Sequence, residues 1–150
     1  MLASQLVAHM RITCRDSDVG QVIGHPNDAR AIFMPLMLAD RETLAVLCLD
    51  DDRRVITAFV AAIGTVNMVQ CQPSDVFRPA VAFGAAHILL AHNHPNGDPT
   101  PSQPDIDTTR NLELCAKILG IGFVDHLVLT ASGRYRSIAE YMETHPCGRA

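Results

Sequence analysis

One stretch in the second half of the chain constrains the fold most: an apolar run that leads into a stiff loop and then a helix. The run His87–Ala91 is almost wholly apolar, as expected of a strand buried on both faces of a sheet. Residues 92–101 hold three prolines and one glycine, which predicts an irregular, stiff connection. A helix from Ser102 to Leu119 and a strand from Phe123 to Thr130 follow. This order is a strand–helix–strand crossover, which joins parallel strands.

The first half of the chain predicts a hairpin and additional helices. The apolar run Thr43–Leu49 leads through an acidic turn into the strand-like run Val55–Val60. The other predicted elements are helices from Asn27 to Ala39 (interrupted by Pro35) and from Pro73 to Ala86 (N-cap Ser74), strands at Asn67–Cys71 and Tyr135–Arg136, and a last helix opening with the capping box Ser137-Ile138-Ala139-Glu140. Together these elements predict an α/β or α+β fold, a mixed β-sheet flanked by helices on both faces.

Composition limits the class of protein. At 150 residues we expect a single domain, with a core at 40–145 and an N-terminal segment at 1–39 that packs one helix on it. With 48% hydrophobic residues the chain is too apolar for intrinsic disorder, and its net charge of −4 argues against a generic nucleic-acid binder. No apolar run approaches the roughly 20 residues of a membrane span, and residues 1–10 lack the basic start of a signal peptide.

We expect no membrane partner, and the cysteines agree with a location in the cytoplasm. There are five of them, an odd number without a CxxC pair: Cys14, Cys48, Cys71, Cys115 and Cys147. This pattern argues against a secreted disulfide framework and against a thiolate-rich zinc site. Free thiols suit a reducing compartment, so we expect the protein to work in the cytoplasm.

A candidate metal site lies where the buried strand ends. His92 and His94 are two residues apart, so in an extended segment both imidazoles face the same point. Asp105 falls in the first turn of the next helix, and two imidazoles with one carboxylate form the three-ligand set of an open zinc site. Each residue also has a structural interpretation, because a histidine at a strand end is often a core residue. Ser102 and Asp105 resemble a capping box, and for Ser102 the spacing alone favours capping.

The same residues carry a family resemblance. His92, His94, Pro95, Ser102 and Asp105 reproduce the H-x-H-P-x6-S-x2-D signature, on which the chain resembles the RadC-like branch of the JAMM (MPN+/JAB) metalloproteins. Gly64-Thr65 upstream and Asp125-His126 downstream agree with that branch as well. The resemblance extends over residues 40–142. It implies a JAB/MPN-like fold with a cytidine-deaminase-like layout, and a Zn²⁺ ion ligated by His92, His94 and Asp105.

The resemblance further implies a catalytic glutamate on an early strand. Of the four glutamates, Glu42 alone opens an apolar strand, and it matches the family position. The structural alternative for Glu42 is a strand-end charge paired with Arg41 or Arg53. The implied activity is zinc-dependent hydrolysis of a peptide or isopeptide bond in a peptide or protein substrate. Glu42 would act as general base and Ser102 as hydrogen-bond donor to the oxyanion.

Other functions remain as alternatives. The main one is a RadC-like factor without catalysis, acting as a DNA-repair-associated or protein-recruiting module. RadC-like proteins typically carry an N-terminal helix-hairpin-helix, for which we expect no room before Asp40, so a nucleic-acid partner is not expected. A zinc deaminase would need H-x-E and a later P-C-x-x-C, whereas Pro146-Cys147 lacks the second cysteine.

Two further questions stay open at the level of sequence. His126 either orients a ligand or is a core histidine. The sequence leaves the oligomeric state open, a homodimer included.

Overall fold

The computed structural model describes residues 14–65 and 70–146. One five-stranded sheet has the order β2-β1-β3-β4-β5, and its strands are β1 (Thr43–Leu49), β2 (Val55–Ile63), β3 (His87–Asn93), β4 (Gly122–Leu129) and β5 (Tyr135–Ser137). The helices of the described residues are α1 (Pro26–Arg30), α2 (Met34–Met37), α3 (Pro73–Ala82), α4 (Gln103–Leu119) and α5 (Ile138–Thr144), with a 3-10 turn at Asp16–Asp18. β3 and β4 pair in parallel across α4, and the other pairs are antiparallel. The predicted mixed α/β sheet is confirmed.

Both faces of the sheet are covered by helices, as the apolar strands predicted. All seven residues of β1 are buried. Its odd-numbered side chains from Ala45 to Leu49 join a core with α1 and α2, and its even-numbered side chains from Leu44 to Cys48 join a second core with α3 and α4. Alternate side chains of β1 therefore pack into two different cores, one on each face of the sheet.

Two predicted helices have different limits in the structure. The helix predicted from Asn27 to Ala39 is split into α1 and α2, because Pro35 fits the first turn of α2 but would clash with the end of a longer preceding helix. The helix predicted to run from Pro73 to Ala86 ends at Ala82, and Gly84 then takes a left-handed φ of 69°. Its N-cap is Gln72 rather than Ser74.

Some predictions fall on parts of the chain that the structure does not describe. The strand predicted from Asn67 to Cys71 lies mostly there, and residues 1–10 and Cys147 lie outside as well. The four cysteines within the described ranges are free thiols. Burial raises the pKa of Cys48 to about 12, so this thiol stays protonated near neutral pH. Among the described helices, none combines the length and the apolar character that crossing a membrane requires.

The sheet register brings the two halves of the site together. β1 and β3 are antiparallel, with Leu44 opposite His92. Extending this register by two residues brings Glu42 opposite His94. α4 then begins beside the same end of β3, with Ser102 as its N-cap, as predicted. Gly120 ends the helix with a φ of 71°.

Candidate metal centre

The structure brings His92, His94 and Asp105 into one cluster. His92 Nε2 lies 3.0 Å from His94 Nε2 and 3.3 Å from Asp105 Oδ1, and His94 Nε2 lies 3.2 Å from Asp105 Oδ2. The side chains are buried, with exposed fractions of 1% for His92, 8% for His94 and 11% for Asp105. Strand alternation at the end of β3 and the first turn of α4 supply this arrangement, as the spacing predicted.

Two further side chains fix the tautomer of His92. Thr109 Oγ1 donates to the carbonyl oxygen of Asp105 at 2.7 Å, so it accepts from His126 Nδ1, also at 2.7 Å. His126 Nε2 must then accept the proton of His92 Nδ1, across 2.8 Å. Burial, followed by the charge of His92, lowers the pKa of His126 well below its ordinary value, so His126 is neutral as this chain requires. His92 therefore turns the lone pair of Nε2 toward Asp105.

The loop between β3 and α4, here called the motif loop, fixes the tautomer of His94 in the same way. His94 Nδ1 lies 2.8 Å from the carbonyl oxygen of Asp98, which can only accept, so Nδ1 carries a proton. The loop holds this carbonyl by a turn in which Gly97 N–H bonds to His94 O at 3.1 Å. Arg134 Nη2 donates to Gly97 O at 2.7 Å from beyond β4. In the neutral imidazole, Nε2 of His94 is consequently also an acceptor.

The cluster therefore places acceptor atoms against acceptor atoms, and this arrangement fits a cation. Lone pairs of His92 Nε2, His94 Nε2 and both Asp105 oxygens converge with separations of 3.0–3.3 Å. A tetrahedral zinc with bonds of about 2.0–2.1 Å would hold its ligand atoms roughly 3.3 Å apart. These three residues could hold a metal ion. Without an ion, a proton on one imidazole must relieve the repulsion.

The pKa values of His94 and Asp105 agree with a cluster that favours positive charge. Burial lowers the pKa of His94, but the hydrogen bonds with Asp105 and the Asp98 backbone, and the charges of Asp105 and Glu42, outweigh burial and raise it. Burial alone would raise the pKa of Asp105. The close contacts with the imidazoles of His92 and His94, together with the backbone N–H of Ser102, hold the pKa of Asp105 far below its ordinary range instead.

Asp105 serves the helix and the cluster at once. Asp105 Oδ2 accepts from the backbone N–H of Ser102 at 2.8 Å, and Ser102 Oγ accepts from the backbone N–H of Asp105 at 3.3 Å. The capping box is thus present, and the same carboxylate faces both histidines. Capping and ligation are compatible here, because the helix start aims the carboxylate at the imidazoles.

Glu42 lies beside the cluster without belonging to it. Its Oε1 is 3.8 Å from His94 Nε2, and its side chain is 8% exposed. Its backbone pairs with the residues after β2, since Glu42 N–H bonds to Thr65 O and Gly64 N–H bonds to Glu42 O, each at 2.7 Å. The role of Glu42 as a base stays a prediction, and its carboxylate lies within reach of the cluster.

A polar cavity of about 180 Å³ opens over the cluster. Its walls are formed by Glu42, His94, Asn96, Asp98, Thr100 and Ser102. Ser102 is exposed there, and its hydroxyl proton remains available to a bound molecule, because the capping bond uses the oxygen as an acceptor. The two predicted catalytic residues therefore share one opening with a predicted ligand.

Sequence reasoning missed two of the supporting residues, Thr109 and Asn93, and left His126 with two alternative roles. Thr109 lies one helical turn after Asp105, where its hydroxyl bonds to the Asp105 carbonyl oxygen and to His126 Nδ1. Asn93 lies between the two histidines, and strand alternation turns it to the opposite face of the sheet. His126 bonds directly to His92, so the interpretation in which it orients a ligand fits the structure. The Asp125-His126 pair was the only signal for it in the sequence.

Comparisons with known proteins show the family of this chain. The sequence profile of the RadC-like JAB domain matches residues 23–144. A UPF0758 protein of Moorella thermoacetica is 39% identical over 120 residues, 79% of this chain and 52% of the relative. A UPF0758 protein of Clostridium perfringens is 38% identical over 126 residues, 83% of this chain and 55% of the relative. The chain spans about half the length of these relatives, and it belongs to the RadC-like JAB domain family.

Proposed function

We propose that this chain is a zinc-dependent hydrolase that cleaves an amide-type bond, in a peptide or in an isopeptide linkage of a protein. One observation carries the proposal: the carboxylate of Glu42 lies 3.8 Å from an imidazole of a buried His-His-Asp cluster, at the opening of a polar cavity. A carboxylate beside three convergent ligand atoms is the arrangement that metal-assisted hydrolysis requires.

The donor set supports zinc as the metal. Two imidazoles and one carboxylate are borderline ligands that suit Zn²⁺, and three protein ligands leave one position open for chemistry. His92, His94 and Asp105 would hold the ion. When bound, zinc would polarise the substrate carbonyl and acidify water in the open position.

The side chains of the protein would perform the proton transfers and hold the substrate. Glu42 would take a proton from water on its Oε1 and return it to the nitrogen of the leaving amine, so that each turnover regenerates the carboxylate. Ser102 would donate its hydroxyl proton in a hydrogen bond to the oxyanion that develops on the carbonyl oxygen. The walls of the cavity would limit access to an extended or flexible segment of substrate.

The free thiols of the described residues support work in a reducing compartment such as the cytoplasm. We take the substrate to be a peptide or protein rather than nucleic acid, in keeping with the net charge of −4.

Metal analysis combined with a hydrolysis assay tests this function. The purified wild-type chain should carry about one zinc per chain, and it should cleave a member of a peptide and isopeptide panel. Glu42→Gln should keep its zinc and lose at least about 100-fold in rate, since general-base catalysis contributes 10²–10⁴-fold. The polar, similarly shaped glutamine keeps the fold, which makes Glu42→Gln its own control for metal content.

Two results would contradict the proposal. Iron in place of zinc would indicate the redox chemistry that iron supports on the same donor set. Full activity in Glu42→Gln would remove the assigned base. Stoichiometric zinc without hydrolysis of any panel member would favour the alternative, a RadC-like module that recruits a partner without catalysis.

A further inference from the structure

Asn93 lies between the two histidines and faces away from them. Its side chain is 1% exposed, and its polar atoms bond to one backbone segment. Asn93 Oδ1 accepts from the backbone N–H of Thr43 at 2.8 Å. Asn93 Nδ2 donates to the carbonyl oxygens of Ala39 and Arg41, at 3.1 and 2.9 Å.

These three hydrogen bonds bracket Glu42. Arg41 and Thr43 are its chain neighbours, and both bond to the same amide group. The ladder between β1 and β3 begins only at the pair Leu44–His92, so Asn93 joins the two segments beyond the end of the ladder. Because alternate residues point to opposite faces, Glu42 then projects toward His94 while its neighbours are held by Asn93.

We propose that Asn93 is a positioning residue that fixes the general base relative to the metal ligands. The short segment 92–94 carries both histidines and the clamp, so any shift of the histidines moves Glu42 with them. The inference rests on the function proposed above, since it assigns Asn93 the task of placing that base. Only an amide meets the requirement at this size, because the clamp uses one acceptor and two donors.

Acetohydroxamic acid probes this arrangement without a known substrate. It must give up its hydroxyl proton when it chelates zinc, and Glu42 is the group placed to take that proton. Its affinity for the zinc-loaded protein therefore reports on the position of the carboxylate. Zinc affinity, measured by competition with a chromophoric chelator, reports separately on the ligands.

The test is a double-mutant cycle on the zinc-loaded chain with Glu42→Gln, Asn93→Ala and the double variant. Each single variant should bind acetohydroxamic acid about tenfold or more weakly, the size of one hydrogen bond to a charged group. In the Glu42→Gln background, Asn93→Ala should change the affinity less than about twofold, because the base it positions is gone. Zinc affinity should stay within about threefold of wild type throughout.

Two further variants separate positioning from folding. Asn93→Asp keeps the shape and the acceptor but loses both donors, and it should weaken hydroxamate binding as Asn93→Ala does. Ser137→Ala removes a buried hydroxyl that donates to Asp125 Oδ2 at 2.6 Å beside the opposite edge of the sheet. It should lower the melting temperature and leave hydroxamate affinity unchanged.

The outcomes distinguish this inference from the proposed function. Equal losses from Asn93→Ala in the wild-type and Glu42→Gln backgrounds would show that Asn93 does not act through Glu42, and so would unchanged hydroxamate affinity in Asn93→Ala. A wild-type chain without zinc, or a Glu42→Gln variant that binds hydroxamate normally, would overturn the proposed function and this inference together.

Discussion

The predicted ligands and the predicted base, called here the ligand half and the base half of the site, are positioned in different ways. His92, His94 and Asp105 lie within fourteen consecutive positions, and each is oriented by hydrogen bonds from the adjoining strand, loop and helix start. Glu42 comes from fifty residues earlier, and long-range contacts place its backbone. Short-range geometry therefore brings the first three side chains together, with support for His92 from His126 on β4, whereas the position of Glu42 depends on the pairing of β1 with its neighbours.

Removal of a side chain of the ligand half should have the largest effect on zinc affinity. His94→Ala deletes one of three donors, and we expect zinc affinity to fall by more than about 100-fold, beyond the 10- to 100-fold typical of outer hydrogen-bond partners. Equilibrium dialysis followed by elemental analysis measures the loss. His145→Ala removes an exposed histidine near the end of α5 and should retain full zinc. Undiminished zinc in His94→Ala would place the metal elsewhere.

Breaking the hydrogen-bond chain behind His92 should have the next largest effect. His126→Leu removes the acceptor for His92 Nδ1, and zinc affinity should fall about 10- to 100-fold. Thr109→Val should act in the same direction, because it removes the acceptor for His126 Nδ1. Thr109→Ser keeps the hydroxyl and serves as the matched control. Equal zinc affinity in Thr109→Val and Thr109→Ser would show that the chain does not orient the ligand.

The stability of the protein should depend on pH differently with and without bound zinc. The pKa of His94 is raised above its ordinary value of 6.5 in the metal-free chain. Its contribution to stability is therefore fully present below pH 6.5 and is lost as pH rises through the raised value. Asp105, whose pKa is lowered, contributes above its ordinary value of 3.8 and loses this only in acid. Between pH 6 and 8 the contribution of His94 thus falls. His126, whose pKa is lowered, acts in the opposite direction, because below about pH 6.5 the unfolded chain binds a proton that the folded chain does not.

Calorimetry of the chelator-treated and zinc-loaded protein tests this expectation. The gap between the melting temperatures of the zinc-loaded and the metal-free chain should widen from pH 6 to pH 8, since zinc and the proton compete for Nε2 of His94 and the effect of His126 is common to both forms. His94→Ala should remove most of the widening. A constant gap across this interval would show that His94 does not exchange a proton for the metal.

A backbone change in the motif loop should have the smallest effect. Gly97 has a φ of 82°, and a left-handed conformation costs a residue with a side chain about 1–2 kcal/mol. Gly97→Ala should lose about that much stability and, through the Asp98 carbonyl, a few-fold in zinc affinity. Gly84→Ala is the matched control, because Gly84 also has a left-handed φ of 69° and open space around it but lies far from the loop in sequence. Equal zinc affinity in both variants would show that the conformation of the loop does not affect zinc binding by His94.

Sequence predicted the ligand half well, because spacing along one strand, one loop and one helix start determines it. It also predicted the sheet, since apolar runs such as Thr43–Leu49 show burial on both faces. It failed at the helix ends, where Pro35 divides α1 from α2 and Gln72 caps α3 in place of Ser74. Both boundaries have local causes, since proline fits the first turn of a helix and the Asp75 carboxylate accepts from the backbone N–H of Gln72.

The long-range contacts could not be read from the chain. Asn93 bonds to residues 50 to 54 positions away, and His126 lies 34 positions from His92. Their roles depend on the register of β1 against β3 and of β4 against β3. A shift of one residue would turn each side chain to the other face of the sheet. The prediction of Glu42 as the base came from the family resemblance, since spacing alone left its role open.

The capping box at α4 has a consequence for how the protein handles metal. Asp105 bonds to the backbone of Ser102, and both histidines bond to protein partners. Because the chain itself orients these three side chains, we expect a bound metal ion to require little further ordering of the protein. The domain should therefore keep its fold when a chelator withdraws the ion, and the supply of zinc could regulate the proposed activity at little conformational cost.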